Sequence, residues 1–368
     1  MTQGMTQGMT QGMTGAMTRR IAVVLFNLGG PDSPAAVAPF LFNLFNDRNI
    51  IDLPGILRWP LAKLIAGRRA KPAAEIYARM GGRSPILPNT ERQAAALEAA
   101  LSELGEVKVF IAMRYWHPLT AETVAAVKRF APDEIVLLPL YPQFSTTTTQ
   151  SSHEAWQREA ARQGISAPRT LICCYPTEPG FIAALARATA TAIAAAKAKT
   201  SAPVAVIFSA HGLPKKIVQR GDPYVAQVSA TVQAVVERLG LAAHEWLVAF
   251  QSRVGPLEWV GPATDQAIDV EAEKGNAVVV VPVAFVSEHS ETLVELDIEY
   301  RHRAERRGTP AYERAPTVSE DPDFIAGLAR LVREALGQPR PVRAGTGMDH
   351  CKDWPRCACR QATSREAA

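Results

Sequence analysis

Long apolar runs and a strong net charge are both absent from this chain of 368 residues. No apolar run approaches the roughly 18 residues of a membrane-spanning helix, and the N-terminus lacks the basic and apolar regions of a secretory signal. A net charge of +4 without a long basic run argues against nucleic-acid binding. We therefore expect a cytoplasmic globular protein that binds no nucleic acid.

Cysteine is scarce, and the common nucleotide and hydrolase motifs are missing. Five cysteines, an odd number unevenly placed, do not suggest a disulfide framework. Gly29 and Gly30 follow the first apolar run, but Pro31 comes next and neither a GxGxxG nor a Walker pattern is completed. No GxSxG nucleophile elbow is present either. These absences disfavour a nucleotide site and a Ser-His-Asp hydrolase.

What the chain does contain is an alternation of apolar strands and Ala-rich helices. The strand candidates are residues 21–26, 108–113, 134–140, 170–174, 204–208, 246–250 and 278–285. Because helical stretches separate them, the strands are predicted to form parallel sheets with helices on both faces, an α/β fold. Their number indicates two such sheets.

The predicted organisation divides the chain into four parts. Residues 1–17 repeat Met-Thr-Gln-Gly without a core-forming pattern, so a disordered tail is expected. A first Rossmann-like domain is expected over residues 18–160 and a second over 161–336, with the last helix a candidate to pack back on the first domain. The break is expected in the polar segment 151–168. Residues 337–368 form an extension.

An insert at residues 33–76 is rich in large apolar side chains and is interrupted by Pro and Gly. Simple helix–sheet packing explains such a segment, and so does an apolar lip over a cleft or a patch that touches a membrane. Composition alone favours packing. The lip interpretation predicts an exposed or mobile apolar surface formed by Phe40, Leu41, Phe45, Leu57 and Trp59.

A row of acidic residues follows the last strand candidate. Glu291, Glu295 and Glu299 are spaced four residues apart, which on a helix places them within an arc of about 80°. Val294 and Ile298 border the row, and like charges four residues apart repel one another. We interpret the row as one wall of a cleft that receives a cation or protons. An acidic solvent-exposed helix is the alternative.

Polar residues also follow the other strands where each ends, and in parallel sheets these carboxyl ends share one edge. His211 stands in such a position, between Ala210 and Gly212. Grouped with residues at the start of the acid row, it would form a histidine–carboxylate cluster with Glu288, His289 and Glu291. Such a cluster suits a divalent metal ion or proton abstraction near neutral pH.

Several of these segments resemble the ferrochelatase family, enzymes that insert ferrous iron into a porphyrin. The resemblance lies in Ser209-Ala-His-Gly-Leu-Pro214 and in the acid row. Further matches, in order along residues 20–336, are Asn27-Leu-Gly-Gly-Pro31, Tyr77 with Gly81-Gly-Arg-Ser-Pro85, Arg114-Tyr-Trp-His-Pro-Leu119, Tyr141-Pro-Gln-Phe144 and Phe250-Gln-Ser-Arg-Val-Gly255. Arg83 departs from the family's pattern, which has a third glycine there. It adds bulk to a loop expected to face the porphyrin.

The resemblance implies two Rossmann-like domains with the porphyrin between them, and roles for single residues. His211 and Glu291 would be the metal-site pair, with His211 also the base that accepts pyrrole protons. Glu288 and His289 would belong to the same catalytic group, and Glu295 and Glu299 fit the path of metal or protons. Contacts to the porphyrin and its propionates are expected from Arg68, Arg69, Tyr77, Ser84, Arg114, Tyr115 and Tyr141.

The function implied is insertion of Fe²⁺ into protoporphyrin IX, the last step of haem synthesis. The alternatives are a chelatase for another tetrapyrrole or metal, such as coproporphyrin III or cobalt, and a porphyrin or haem carrier without catalysis. The intact pair of His211 and Glu291 disfavours the carrier. Because the apolar insert resembles the family's lip, peripheral contact with the inner face of the membrane is expected, as is contact with other enzymes of haem synthesis.

The C-terminal extension concentrates thiols within nine residues: Cys351, Cys357 and Cys359. Cys173 and Cys174 end a strand candidate, and three clustered thiols with one distant thiol match the ligand count of a [2Fe–2S] cluster. Some ferrochelatases carry such a cluster on a C-terminal extension, and this tail resembles theirs. Adjacent strand residues point to opposite faces, so only one of Cys173 and Cys174 should be a ligand. Free thiols, or a zinc site that includes His350, are the alternatives.

Overall fold

The computed structural model describes residues 19–253, 255, 257–338, 340–345, 351 and 353–360. The repeat at residues 1–17 and the candidate zinc ligand His350 lie outside these described residues. The disordered tail and the zinc site with His350 therefore stay predictions.

The strands form two parallel sheets. In chain order they are β1 (Arg20–Asn27), β2 (Glu106–Met113), β3 (Glu134–Pro139), β4 (Arg169–Ile172), β5 (Val204–His211), β6 (Trp246–Gln251), β7 (Ala277–Pro282), β8 (Tyr312–Arg314) and β9 (Val342–Arg343). The first sheet has the order β2–β1–β3–β4–β9 and the second the order β6–β5–β7–β8. Every strand pair is parallel. The predicted α/β fold with two parallel sheets is confirmed.

Helices connect the strands and cover both sheets. They are α1 (Val37–Phe45), α2 (Gly55–Ala78), α3 (Ile86–Ala100), α4 (Thr120–Phe130), α5 (Ser151–Gln163), α6 (Pro179–Lys197), α7 (Lys215–Gln219), α8 (Tyr224–Leu239), α9 (Thr264–Glu273), α10 (Arg301–Arg306) and α11 (Pro322–Gly337). Two further segments, Thr146–Gln150 and Glu291–Tyr300, are π-helical.

The central strands are apolar throughout because helices cover both faces of each sheet. In β1, residues 21–26 are all fully buried, and β7 is buried over its whole length. Continuous Val, Ile and Leu runs of this kind are typical of parallel sheets. Polar residues are thereby displaced to the strand ends, where Asn27 and His211 terminate β1 and β5.

Helices α6 and α11 join the two halves of the molecule. α6 leads from β4 of the first sheet to β5 of the second, and α11 packs against α6, α3 and β3. Among the described helices, α6 alone is long and apolar enough to cross a membrane by those two criteria. Phe181 and Leu185 on its inner face are buried in a core shared by both sheets. We therefore assign α6 as a core helix.

The change of sheet comes later in the chain than the predicted break at residues 151–168. That polar segment forms α5, whose Trp156 and Ala160 are buried against the first sheet, and β4 then pairs with β3. The chain reaches the second sheet only after α6. The edge strands β8 and β9, of three and two residues, were not predicted because strands so short carry no readable periodicity.

Residues 33–76 form a lip in which α1 packs against α2. The expected exposure is correct for Leu57 and Trp59, whose exposed fractions are 57% and 50%. It is wrong for Phe40 and Leu41, which are buried because α1 turns its apolar face inward. Phe45 is half-buried. The insert thus has two apolar faces, one turned inward and one exposed.

Candidate active site and cysteine site

An apolar cavity of about 960 Å³ opens where strands of both sheets end. One wall comes from the inner face of the lip, with Phe40, Leu41 and Phe45. The opposite wall comes from the ends of β5 and β6 and from the π-helix Glu291–Tyr300. This volume is typical of sites for organic ligands, and its apolar lining suits a large flat molecule.

His211 projects into the cavity at the end of β5. Its Nδ1 lies 2.6 Å from the carbonyl oxygen of Gly212. Because a carbonyl only accepts, that contact assigns a hydrogen to Nδ1, so in the neutral imidazole Nε2 carries the lone pair. Nε2 lies 3.7 Å from Oε1 of Glu291. His211 can therefore accept a proton or bind a metal ion at Nε2.

Glu291 stands between two histidines at the start of the π-helix. Its Oε2 lies 3.7 Å from Nε2 of the buried His289, whose Nδ1 contacts the carbonyl oxygen of Ser287 at 3.2 Å. Burial alone raises the pKa of Glu291, but His211 and His289 together outweigh it and lower that pKa to about 2. Oε2 has no hydrogen-bond partner within the described part of the chain. Glu291 is thus an ionised carboxylate whose Oε2 is enclosed beside His289 and whose Oε1 faces His211.

The acid row is built on π-helical turns, not on the α-helix that its spacing predicts. Hydrogen bonds in a π-helix run from i to i+5, and such turns are frequent at functional sites. Residues four apart still share a face, and Glu291, Glu295 and Glu299 all line the cavity. Burial and the Glu291 charge raise the pKa of Glu295. Glu299 lies at the rim, paired with Arg79 at 3.3 Å, and both side chains are about half-exposed.

Glu288 is separated from the other acids. Its carboxylate binds Nη1 of Arg314 at 2.6 Å and accepts the backbone N–H of Thr317 at 3.0 Å. Burial raises the pKa of Glu288, but Arg314 and the hydrogen bonds lower it below the usual range. Glu288 is not among the described residues that line the cavity. Its observed contacts fasten the turn before the π-helix.

The two arginines predicted to bind the porphyrin face different surroundings. Arg69 lines the cavity, with its guanidinium 5.9 Å from the ring centre of Phe45. Arg68 is exposed on α2 and lies outside the described cavity lining. Of these two arginines, only Arg69 is therefore in reach of a molecule bound in the cavity.

Tyr77 and Ser84 both line the cavity, and their predicted contact with porphyrin stays a prediction. Burial raises the pKa of Tyr77 to about 12, so its hydroxyl is a donor at neutral pH. Ser84 packs closely on Gly30, where a Cβ would come within 2.6 Å of the serine side chain. Glycine is needed there for this approach. Arg83 is exposed and, unlike Gly81 and Gly82, is not among the described residues with positive φ.

Arg114, Tyr115 and Tyr141 lie behind the cavity wall. Arg114 and Tyr115 bind Oδ2 of Asp47 at 2.9 and 2.8 Å. Burial raises the pKa of Asp47, but Arg114 and several hydrogen bonds lower it below its usual value. The Tyr141 hydroxyl is buried without a hydrogen-bond partner among the described residues. None of the three belongs to the described cavity lining, so their predicted contact with porphyrin has no support in this geometry.

Sequence reasoning assigned no role to the residues at the end of β6, although they lie in a segment that carried the resemblance. Gln251 and Ser252 line the cavity and donate to Glu295. Ser252 also has φ of +59°, a left-handed conformation. Their position at a strand end could have identified them, since β6 ends at the same edge of the sheet as β5.

A second site is formed by Cys173, which directly follows β4, and three cysteines of the tail. The Sγ atoms of four buried cysteines lie within 4.8 Å of one another: Cys173, Cys351, Cys357 and Cys359. Cys174 is outside this group; its Sγ accepts from Nε2 of Gln227 at 3.5 Å and lies 3.6 Å from Sγ of Cys351. The structure thus favours Cys173 over Cys174 as the fourth ligand, and the four thiols could bind a metal ion.

The tail reaches this site along the edge of the first sheet. β9 pairs with β4, and the Gly345 N–H donates to the carbonyl of Cys174 at 2.8 Å. Pro355 then packs on Gly221, where a Cβ would come within 2.7 Å of the proline ring. Gly221 has φ of +91°, so glycine serves both the turn and the contact.

Two parallel sheets with a His–Glu pair facing an apolar cavity define an α/β chelatase. A solved structure described as SirB from Bacillus subtilis with Fe³⁺ has the same fold, with a TM-score of 0.50 over 87% of this chain and 98% of that one at 13% identity. The chain belongs to the ferrochelatase family, whose model matches residues 20–336.

Curated proteins named ferrochelatase match this chain over almost their whole length. The protein of Caulobacter vibrioides (strain NA1000 / CB15N) is 52% identical, covering 94% of this chain and 99% of the relative. That of Phenylobacterium zucineum (strain HLK1) is also 52% identical, covering 93% and 98%. The protein of Rickettsia bellii (strain OSU 85-389) is 44% identical over 93% and 95%. The predicted family is confirmed, as is the predicted enzyme class, a chelatase that inserts iron into porphyrin in the last step of haem synthesis.

Proposed function

We propose that the chain inserts Fe²⁺ into protoporphyrin IX bound in the apolar cavity, with His211 and Glu291 as the reacting pair. The observation that carries this assignment is the pair's geometry, a free Nε2 lone pair 3.7 Å from an ionised carboxylate on the cavity wall. Metallation removes two N–H protons from the macrocycle and delivers a dication. His211 would take up the two protons one at a time at Nε2, releasing the first to solvent before it accepts the second. Glu291 would offer the iron Oε1, the oxygen nearest His211.

The apolar wall would bind the macrocycle and the polar rim its carboxylates. Phe40, Leu41 and Phe45 offer the face of the lip to the ring. Arg69 would pair with a propionate by charge-assisted hydrogen bonds, with Tyr77 and Ser84 as neutral donors. Protoporphyrin is preferred to coproporphyrin in this proposal because the described lining supplies two arginines, Arg69 and Arg253, for the two propionates of protoporphyrin. Coproporphyrin carries additional carboxylates.

The role of His211 is tested by His211→Ala. Turnover is expected to fall by at least about a hundredfold, the usual size of a lost general base, while porphyrin binding stays within about twofold because the apolar wall is intact. His244→Ala is the matched control, since His244 is exposed outside the cavity lining. Binding is followed by porphyrin fluorescence and turnover by its loss with Fe²⁺ under anaerobic conditions. Near-normal turnover of His211→Ala would sink the assignment.

We also propose that the four tail-associated thiols hold a [2Fe–2S] cluster. The residues fit such a group, because Cys173 with the three tail cysteines supplies four buried thiols. When bound, the cluster would supply redox-active, coloured iron, whereas the insertion reaction moves no electrons. Its role would therefore be to tie the tail to the first sheet. Zinc, which all-thiolate sets also bind, is the rival occupant.

Analysis of anaerobically purified protein distinguishes the two occupants. The cluster predicts a reddish protein with two irons, acid-labile sulfide and visible absorption bleached by dithionite. Colourless protein with one zinc and no sulfide would replace the proposal by a zinc site. Cys173→Ser is expected to abolish binding of either, and Cys174→Ser to retain it.

The exposed face of the lip would touch a membrane surface from the cytoplasmic side. Ile56, Leu57, Trp59 and Leu64 have exposed fractions between 49% and 84%. Lys63 lies 5.2 Å from the Trp59 ring centre, so positive charge accompanies the apolar face. Apolar residues flanked by cations are typical of interfacial helices on anionic lipid.

Co-sedimentation with vesicles tests the contact. Wild-type protein is expected to bind vesicles with anionic lipid more strongly than neutral ones, and Ile56→Ser/Trp59→Ser to lose most of the binding. Val270→Ser is the control because Val270 is similarly exposed, at 48%, on α9. Equal sedimentation of all three proteins would exclude the lip as the contact. If the lip does not bind vesicles but binds another enzyme of haem synthesis, the exposed face contacts a protein partner instead.

A further inference from the structure

The Glu295 carboxylate receives four hydrogen bonds. Oε1 accepts from the Ser252 N–H at 2.9 Å and from the Tyr300 hydroxyl at 2.9 Å. Oε2 accepts from the Ser252 hydroxyl at 2.5 Å and from Nε2 of Gln251 at 3.1 Å. A carboxylate offers about four lone-pair sites, so those of Glu295 are saturated. Glu291 is the opposite case: Oε2 makes no hydrogen bond to a described residue, and the contacts of the carboxylate with His211 and His289 are 3.7 Å long.

Ser252 supplies two of these four donors from a strained backbone. Its φ of +59° lies in the left-handed region, which a residue with a Cβ seldom adopts and which glycine adopts freely. Strained residues of this kind cluster at active sites, where the surrounding contacts hold them in place. The conformation directs the N–H and the hydroxyl of one residue to both oxygens of Glu295.

Gln251 extends the arrangement into the protein. Its Nε2 donates to the backbone carbonyl of Glu291 at 3.0 Å as well as to Glu295. Its Oε1 accepts from the hydroxyl of Ser209, which also contacts the Thr264 hydroxyl at 2.8 Å. Gln251 and Ser209 are buried. The hydrogen bond from Ser209 therefore holds Gln251 at the end of β6, and Gln251 in turn holds the acid row through Glu291 and Glu295.

We propose that Ser252 is a positioning residue for iron insertion and that it holds Glu295 as a fixed negative charge, not as a ligand that the metal binds in transit. A cation could bind Glu295 only by displacing one of its four donors. Glu291 needs no such displacement. The negative charge of Glu295 attracts the dication towards Glu291, and the dication does not bind to Glu295 on the way. The proposal rests on the proposed iron insertion and assigns a function to the end of β6.

A double-mutant cycle between Ser252 and Glu295 tests the proposal. Ser252→Ala is expected to lower kcat/KM for Fe²⁺ by about tenfold, with KM for porphyrin within about twofold. The same change in a Glu295→Gln background is expected to cost less than about twofold, because its target is already altered. Equal losses in both backgrounds would overturn the proposal, since Ser252 would then act independently of Glu295.

Two further variants separate the donor from the strain. Ser252→Gly keeps the N–H, relieves the left-handed strain and removes the hydroxyl, so it should be impaired like Ser252→Ala while melting no lower than wild type. Wild-type kinetics for Ser252→Gly would refute the role of the hydroxyl. Ser319→Ala is the matched control, because Ser319 is also a left-handed serine, φ +44°, whose hydroxyl donates to Glu320 at 2.7 Å. Its kinetics should be unchanged.

The cycle is also measured by urea unfolding, which needs no turnover. Ser252→Ala and Glu295→Gln are expected to be non-additive in the urea midpoint as well, since each alters the hydrogen bond between the Ser252 hydroxyl and the Glu295 carboxylate. Absent iron insertion in the wild type would end the proposed function, yet this coupling would still be observed. Additive midpoints would refute the positioning contact itself.

Discussion

Glu291 and Glu299 belong to one acid row, yet they differ in burial and partners. Glu291 lies between two histidines, with Nε2 of each 3.7 Å from its carboxylate, whereas Glu299 is about half-exposed and paired with Arg79. An exposed pair contributes little and is easily exchanged for solvent. The two carboxylates should therefore differ in their importance for turnover.

Glu291→Gln is expected to lower kcat for Fe²⁺ insertion by at least about a hundredfold, a loss of about 3 kcal/mol in transition-state stabilisation. Glu299→Gln should change it by less than about tenfold, because only a rim charge is lost. Steady-state kinetics with both variants measure the difference. Equal and negligible effects would instead favour an acidic surface without a catalytic role.

Glu288 tests the pH dependence of stability. Its pKa is lowered in the folded state, chiefly by Arg314 against the opposing effect of burial. Such a carboxylate contributes stability above its unfolded pKa of about 4.3 and loses it as the pH falls through the lower folded pKa. Glu288→Gln should cost about 1.5–3 kcal/mol at pH 7. The difference from wild type should shrink below about pH 4.

Urea unfolding of wild type and Glu288→Gln at pH 7, 5 and 3.5 measures this difference. Porphyrin binding by the variant at pH 7 is expected to be normal, because Glu288 is outside the described cavity lining. A pH-independent difference would contradict the ion-pair explanation.

Single residues also show which parts of the site can be predicted from the sequence and which cannot. His211 and the acid row were predicted because polar residues at a strand end are visible in a sequence. The choice of Cys173 over Cys174 was left open, since alternation says only that they face opposite ways. The roles of Gln251 and Ser252 depend on φ and on partners about forty residues away, as with Gln251 and Glu295. No local pattern encodes these.

At the scale of elements, the tail is fastened to the body by a strand, a turn and a proline contact. Gly221→Ala would place a Cβ within 2.7 Å of Pro355 in a left-handed turn. We expect a loss of about 1–3 kcal/mol and release of metal or cluster from the cysteine site. Gly275→Ala is the matched control, with φ of +75° and no atom within 4 Å of the added Cβ.

Metal content after gel filtration and urea midpoints measure both effects. Gly275→Ala should show the backbone strain alone and keep the bound metal. If Gly221→Ala also keeps its full metal content, the contact with Pro355 does not hold the tail.

Elements with long apolar runs were predictable, and the others were not. β1 and β7 are buried on both faces, so their sequences are apolar throughout. The polar segment that forms α5 looks like a linker, because only one face of that helix is buried. The π-helix was read as an α-helix, since i, i+4 spacing does not separate the two.

At the scale of the whole molecule, the two halves are joined by buried polar contacts as well as by α6 and α11. Gln93 on α3 donates to the carbonyls of Val286 and Ser319, each at 2.9 Å, and accepts from the Ser287 hydroxyl at 2.9 Å. Gln93 is fully buried. The segment before the π-helix is thus anchored to the first half.

Gln93→Leu should destabilise the protein by about 2–4 kcal/mol, because the Ser287 hydroxyl and the Ser319 carbonyl lose their contact with Gln93 and the Val286 carbonyl keeps only the Ser319 N–H. Gln233→Leu is the control, since Gln233 is exposed and bonds only Glu237 on its own helix among the contacts of the described residues. It should change stability by less than about 0.5 kcal/mol. Urea unfolding measures both, and equal effects would show that Gln93 does not link the halves.

Insertion of Fe²⁺ into protoporphyrin IX is tested most directly by anaerobic turnover of the purified wild-type protein with Fe²⁺ and either protoporphyrin IX or coproporphyrin III. Loss of porphyrin fluorescence reports insertion. Rapid catalytic loss of fluorescence is expected with protoporphyrin, and a kcat/KM at least about tenfold lower with coproporphyrin. Faster turnover of coproporphyrin, or binding of both without any metallation, would contradict it.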